Sequence, residues 1–325
     1  MKINLFLSFL MLLLLCVGCN KAKDNTVDIK DTTTLVINPT VPLSKANYDL
    51  SLLETCVLFN ETPVVTNFQQ QNYLELSGLA PSRNYPGILF VHEDSGNGNE
   101  VYITNTKGED FGKIILDGVY NRDWEDIKYG PGPDNSKKYI YVAEIGDNDS
   151  AYPGISIFRF PEPDLIGLSS KTILYVTPEK LQFVYPKGSF NAETLLLDPA
   201  TKDFYILTKQ VAQSTLYVAR YPQSTTSVTT LTPVGTFPFD MLTSGDISLD
   251  EIILRNTGQI WYWKRLLGET IVTTMLRKPQ DAPYARNERQ GEAICFSGDG
   301  SGYYTTSEVK KFLGDKAALS FYKRK

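Results

Sequence analysis

Carboxylates recur in this chain where strands should begin. Asn121-Arg122-Asp123-Trp124-Glu125-Asp126-Ile127 sets the pattern: a small or aromatic residue, a carboxylate, then an aliphatic residue entering a strand. It returns as Ala192-Glu193-Thr194-Leu195, Ser244-Gly245-Asp246-Ile247 and Gly291-Glu292-Ala293-Ile294, with a copy lacking the carboxylate at Ser77-Gly78-Leu79-Ala80. Acids gathered at one place repel, so they demand a cation, protons or basic partners. Three kinds of chemistry fit. In the first, each carboxylate accepts backbone N–H bonds from a neighbouring sheet and stitches the two together. In the second, Asp and Glu oxygens, with Asn148 or backbone carbonyls nearby, hold a hard cation, calcium being the natural choice. In the third, Lys209 and Arg255 grip an anionic group while Glu125, Glu193 or Glu292 acts as general base or acid.

These residues need an architecture that brings them together. Aligned on their second column, the five copies place Gly78, Glu125, Glu193, Gly245 and Glu292 at spacings of 47, 68, 52 and 47 residues. Each copy is followed by further short runs rich in Val, Ile, Tyr and Phe, punctuated by Gly, Pro, Asn and Asp. A period near 40–50 residues with four strands per unit is the signature of an all-β, closed β-propeller. The first blade is read at 77–82, 88–92, 100–104 and 113–116, and the second at 124–129, 139–145, 155–160 and 180–185. The third is read at 192–197, 204–209, 215–221 and 234–239. The fourth takes 245–249, 252–256, 259–264 and an ill-defined last strand; the fifth takes 291–296, 303–307 and 319–323. The fifth blade then lacks an outer strand, and the N-terminal run 56–60 is expected to supply it. Five blades follow; a sixth would need another sheet in the N-terminal segment or the long second unit.

In a propeller the innermost strand a lines the central channel, and the d-to-a and b-to-c loops share one rim. That rim should gather Asp123, Trp124, Glu125, Asp126, Glu193, Asp246 and Glu292 with His92, Glu93, Asp94, Glu144, Asp147, Lys209, Arg255 and Glu308. Glu125, Glu193 and Glu292 are the expected metal ligands and the candidate catalytic acids or bases. His92, Asp94, Asp123, Trp124, Asp147, Lys209, Asp246, Arg255 and Glu308 are the expected ligand-binding residues. Trp124 is placed to stack against a sugar or base. His92 is the sole histidine, which excludes a histidine-rich zinc site. Neighbours on a strand point to opposite faces, so His92-Glu93-Asp94-Ser95 is not a nucleophilic triad. Gly146-Asp147-Asn148-Asp149-Ser150 has the residues of a calcium loop or of a tight turn. Trp261-Tyr262-Trp263 reads as inter-blade core. Cys56 and Cys295 fall about 14 Å apart in this arrangement, at about 4.8 Å per strand, too far for a disulfide.

The N-terminus reads as a targeting device. Lys2 precedes a largely apolar run over residues 3–17, about fifteen residues, which suits a signal peptide better than a bilayer span. Gly18-Cys19 resembles a bacterial lipoprotein cleavage box, with Cys16 where Leu is usual. Residues 1–18 are then a signal peptide and Cys19 the lipidated first residue. Residues 19–45 are a polar tether and 46–325 the propeller. The protein is expected on the bacterial envelope, periplasmic or surface-exposed, as a monomer held to the membrane by its acyl chains alone. A formal charge of −5 argues against nucleic-acid binding. The basic end Lys323-Arg324-Lys325 reads as solvated.

Taken in order, Ser77-Gly78-Leu79, His92-Glu93-Asp94-Ser95-Gly96, the 121–127 run, Ile145-Gly146-Asp147-Asn148, Ala192-Glu193-Thr194-Leu195, Gly245-Asp246-Ile247-Ser248 and Gln290-Gly291-Glu292-Ala293-Ile294 resemble a family of uncharacterised secreted bacterial β-propeller proteins. They are more distantly similar to propellers labelled as having an esterase-like activity related to phytase. The resemblance covers about residues 77–308. It implies a propeller with a polar funnel and, through the distant relationship, calcium-dependent hydrolysis of esters or phosphoesters. Three functions follow: binding of a small polar or anionic ligand or an envelope protein at the funnel, with calcium; a calcium-dependent hydrolase; and a scaffold in an envelope complex.

Overall fold

Runs such as Ile88–Glu93 (ILFVHE) and Lys138–Glu144 (KYIYVAE) are buried along nearly their whole length, as expected of β-branched and aromatic strands covered on both faces. The computed structural model describes residues 43–284 and 288–325. The expected signal peptide, Cys19 and the expected tether up to residue 42 therefore lie outside the described residues. Five sheets form a five-bladed β-propeller. Blade 1 comprises Leu76–Pro81, Ile88–Glu93, Glu100–Asn105 and Asp110–Leu116 as strands a to d. Blade 2 is Trp124–Pro131, Lys138–Glu144, Ile155–Pro161 and Glu179–Val184. Blade 3 is Ala192–Leu197, Phe204–Thr208, Ser214–Ala219 and Thr232–Phe237. Blade 4 is Leu242–Ile247, Glu251–Asn256, Ile260–Lys264 and Gln280–Ala282. Blade 5 is Gly291–Phe296, Gly302–Ser307 and Ala318–Lys323, with Val64–Asn67 antiparallel at its outer edge.

The outer strand of blade 5 is therefore not the expected 56–60 run. The chain first adds Glu54–Thr55 in parallel to the outer edge of blade 4. It then crosses to blade 5, burying Cys56 and Phe59 between the two blades on the way. Phe59 makes one isolated antiparallel bridge to Arg324, and continuous pairing begins at Val64, beyond Pro63. Similar short parallel strands cover the other edges: Ile173–Val176 on blade 1, Thr229–Thr230 on blade 2 and Ser44–Lys45 on blade 3. Each one pairs an edge that would otherwise expose a row of unbonded N–H and C=O groups. Ser44 and Lys45, which pair with Gly235 and Thr236, precede residue 46, where the propeller was expected to begin.

The core is five clusters, one per blade interface. Strand alternation feeds them in turn. Phe204 and Ile206 pack toward blade 2, while Tyr205 and Leu207 pack toward blade 4. Trp261 and Trp263 lie between blades 3 and 4 and Tyr262 between blades 4 and 5. Cys56 and Cys295 are buried free thiols in different clusters. Arg324 is not simply solvated: its guanidinium bonds the Glu251 carboxylate at 2.8 Å and lies 4.9 Å from the Phe59 ring centre. Phe59 in turn meets Tyr303 and Tyr262 edge-on at 4.8 and 5.6 Å. Phe59→Ala should therefore cost about 3–5 kcal/mol in denaturant unfolding; a loss under about 1 kcal/mol would show that the crossing segment does not hold blades 4 and 5 together.

Candidate functional site

Each a strand opens with a break in register against strand b. The extra residues are Ser77, Glu125, Glu193 and Thr243, and in blade 5 Glu292 with Ala293. A β-bulge re-aims the side chain it carries, and here it does so in all five blades. Ser77, Glu125, Glu193, Thr243 and Glu292 are all buried and form one tier of the ring. The alignment in sequence had put Gly78 and Gly245 in the columns that Ser77 and Thr243 occupy. Their hydroxyls were missed, because a Ser or Thr before a Gly is an ordinary pattern. Both hydroxyls tie their blade to the next. Ser77 donates to the Glu125 carbonyl at 2.6 Å, and Thr243 lies 3.1 Å from the carbonyls of Gly291 and Glu292.

The ends of the b strands add a second tier, as the shared rim requires. Lys209 ion-pairs with Glu193 Oε1, while Glu193 Oε2 is buried with no hydrogen-bond partner. Glu308 bonds Lys310 at 2.6 Å and accepts from Gln290 at 2.8 Å. Asp94, from blade 1, meets Asp123 and Glu125, from blade 2, with one oxygen of each within 4.8 Å of the others. Among the described residues Asp94, Asp123 and Glu125 are the acids that come this close, and of the expected trio only Glu125 is one of them. The backbone frame of this group includes Asn121, whose side chain donates to the carbonyls of Glu93 and Asp94 and accepts the Trp124 N–H.

The electrostatics follow from burial and crowding. Burial, then the charges of Asp123, Glu75 and Glu308, pushes Asp94 up to about 6 against the opposing Ser95 N–H. Burial raises Glu193 to about 7 although Lys209 opposes it. Glu125 and Glu292 are pushed well above the carboxylate range by burial and by the charge of Glu193. Burial works against the charge of Lys209, but Glu193, Glu292 and Glu125 outweigh it and raise its pKa.

One layer below, carboxylates do stitch blades together. Asp126 is fully buried; it accepts the Leu195 N–H of blade 3 at 3.0 Å and the Lys128 ammonium at 2.6 Å. Across the axis, Ser244 of blade 4 reaches Asp126 at 3.3 Å. Asp246 accepts the Phe296 N–H of blade 5 at 2.9 Å. Asp246 therefore lies in this lower layer, bonded to blade 5.

Four other expected rim residues are otherwise employed. Trp124 is fully buried, packed against His92 at 5.8 Å and Phe158 at 6.2 Å; the bulge sends Glu125 to the funnel and leaves Trp124 in the interface. His92 is also fully buried, under Gly78, where a Cβ would lie 2.1 Å from its Nε2. Burial lowers its pKa to about 4, so the ring is neutral. Arg255 is fully buried: Nη1 bonds Glu288 and the Ala293 carbonyl, each at 3.1 Å. A Cβ on Gly291 would sit 1.3 Å from Arg255 Nη2, so the absent side chain makes the room in which this guanidinium is buried, with Nη2 left without a hydrogen-bond partner among the described residues. Glu288 went unrecognised in the sequence because it lies outside the repeated motif. Asp147 accepts the N–H groups of Ala151 and Tyr152 at 2.7 and 3.0 Å, which makes its loop a self-closed turn.

No protein-family model matches the chain, and no curated protein matches it either.

The raised carboxylates fix the sign of a pH effect. Between the ordinary carboxylate range and the values near 6 and 7 for Asp94 and Glu193, the folded state keeps protons that the unfolded state releases. Stability therefore falls as pH rises through that window. With divalent cations chelated, the melting temperature should drop from about pH 4.5 to about pH 7. Glu193→Gln should flatten part of the slope; a melting temperature that climbs through this window would contradict the assignment.

Proposed function

We propose that this chain is a bacterial envelope lipoprotein whose propeller takes a calcium ion in its acidic funnel and, through that ion, binds a small polar or anionic ligand. The convergence of Asp94, Asp123 and Glu125 carries this reading. Calcium holds oxygens at about 2.3–2.6 Å, so ligands on opposite sides of it stand nearly 5 Å apart. The separations in this trio fit that shell. Hard carboxylate oxygens, with no sulfur or imidazole among them, also suit calcium rather than zinc. Glu193 Oε2, buried and unpartnered beside the trio, offers a further oxygen. When bound, the ion supplies positive charge that an anionic ligand can share. Asp94, Asp123 and Glu125 would hold it, while Lys209 neutralises Glu193 and leaves the trio's charge for the metal.

Thermal unfolding of the full-length chain in excess EDTA and then in millimolar calcium tests this. At about a hundred times the dissociation constant, binding adds about 2.7 kcal/mol. Asp123→Asn should abolish the rise in melting temperature. No rise in the parent protein would remove calcium from the funnel.

The Gly18-Cys19 junction supports lipid anchoring at Cys19. Cys19→Ser should move the protein from the detergent phase to the aqueous phase in phase partitioning. Equal partitioning of the two forms would count against the anchor.

One observation favours a hydrolase as the second reading. Glu193 has a free buried oxygen and a pKa near 7, the value that suits a general acid or base at neutral pH. Lys209 is then the basic group that faces an anionic substrate, since Arg255 is fully buried. Hydrolysis of a generic phosphoester in the presence of calcium should fall more than about tenfold in Glu193→Gln with folding unchanged. Absence of turnover in the parent protein would leave the binding reading standing alone.

A further inference from the structure

The rim formed by the a–b and c–d turns, opposite the carboxylate ring, carries cavities of its own. Three adjoining cavities there share one side chain, Arg83. The largest of the three, about 300 Å³, lies between blades 1 and 5, and its walls include Pro81, Pro86, Leu89 and Tyr304. That volume is within the range of small-molecule sites, as is the pairing of apolar walls with a few charged groups. Arg83 is exposed, and its guanidinium has no hydrogen bond or ion pair among the described residues. Asp246 is the carboxylate whose charge it feels from the layer below the funnel acids, and that group is already bonded to the N–H groups of Phe296 and Ile247. Lys138 lines one adjoining cavity and Lys128 the other. An arginine without a partner at the mouth of an apolar cavity is a ready fork for a planar anion.

We propose that this cavity binds a small monocarboxylate carried on an apolar body, with the carboxylate on Arg83 and the body against Pro81, Pro86, Leu89 and Tyr304. Asp299 sets the charge of the ligand. It lines the same cavity, and the N–H and hydroxyl of Ser301 hold it ionised at 3.0 and 2.6 Å. A dianionic phosphate would meet its repulsion in full, while a single carboxylate engaged by the arginine fork meets half of it.

Titration calorimetry on the full chain in lipid nanodiscs, with empty nanodiscs as the blank, tests the proposal. The probes are phenylacetate and hexanoate, with phenethylamine and phenyl phosphate as charge controls. Phenylacetate should bind with a dissociation constant of about 0.1–1 mM. Arg83→Gln should weaken it at least about tenfold. Thr106→Trp, which fills the cavity from the c–d turn while keeping Arg83, should do the same. Both variants should keep the parent melting temperature. The proposal fails if neither carboxylate binds below about 10 mM, if Arg83→Gln binds phenylacetate as tightly as the parent, or if either control binds as tightly as phenylacetate.

Discussion

The rest of this structure depends on an extra residue at the start of every innermost strand. Strand a is covered on both sides by neighbouring blades, so strict alternation would commit each of its side chains to packing or to the axis. The bulge breaks that alternation at the point of entry. Glu125, Glu193 and Glu292 are released into the funnel, and Trp124 is left in the interface between blades 1 and 2. Glu125 and Asp126 are neighbours in the chain with different work to do. One faces its fellow acids; the other accepts a backbone N–H from the next blade.

Burial then decides what each charge can do. Asp126 and Asp246 are stabilised by N–H donors, and Asp126 has Lys128 as well. A buried carboxylate so supplied is compatible with a folded protein. The tier above has Lys209 bound to Glu193, with Arg122 acting on Asp123 and Arg255 on Glu292, and burial still raises the pKa of Asp94, Asp123, Glu125 and Glu292. Those groups must keep protons or take a cation. At the far rim the exposed Arg83 stands among carboxylates as well, with Asp299 in the same cavity and Glu162 bonded to the neighbouring Ser82 and Asn84.

Much of this was readable before any coordinates. The spacing of the Glu125, Glu193 and Glu292 motifs implied five repeats of four strands, and strand order alone put b-strand ends beside a-strand starts. Lys209 and Asp94 duly meet the funnel acids. Arg255, His92 and Asp147 occupy comparable positions in sequence, yet all three are buried. What separates them is local: the absent side chain of Gly291 admits Arg255 beneath the rim, that of Gly78 admits His92, and two backbone N–H groups claim Asp147. The two glycine contacts bring together different strands, whereas the Asp147 turn closes within its own loop.

The sequence by itself therefore determined the fold class, the blade count and the acidic character of one rim, because periodicity and composition are properties of the chain. Tertiary structure decided which acids share a site, which strand completes blade 5, and which cations remain free. A bulge shifts a side chain by one position, and a glycine opens a space only where another blade presses against it. Both effects need the closed ring to exist first.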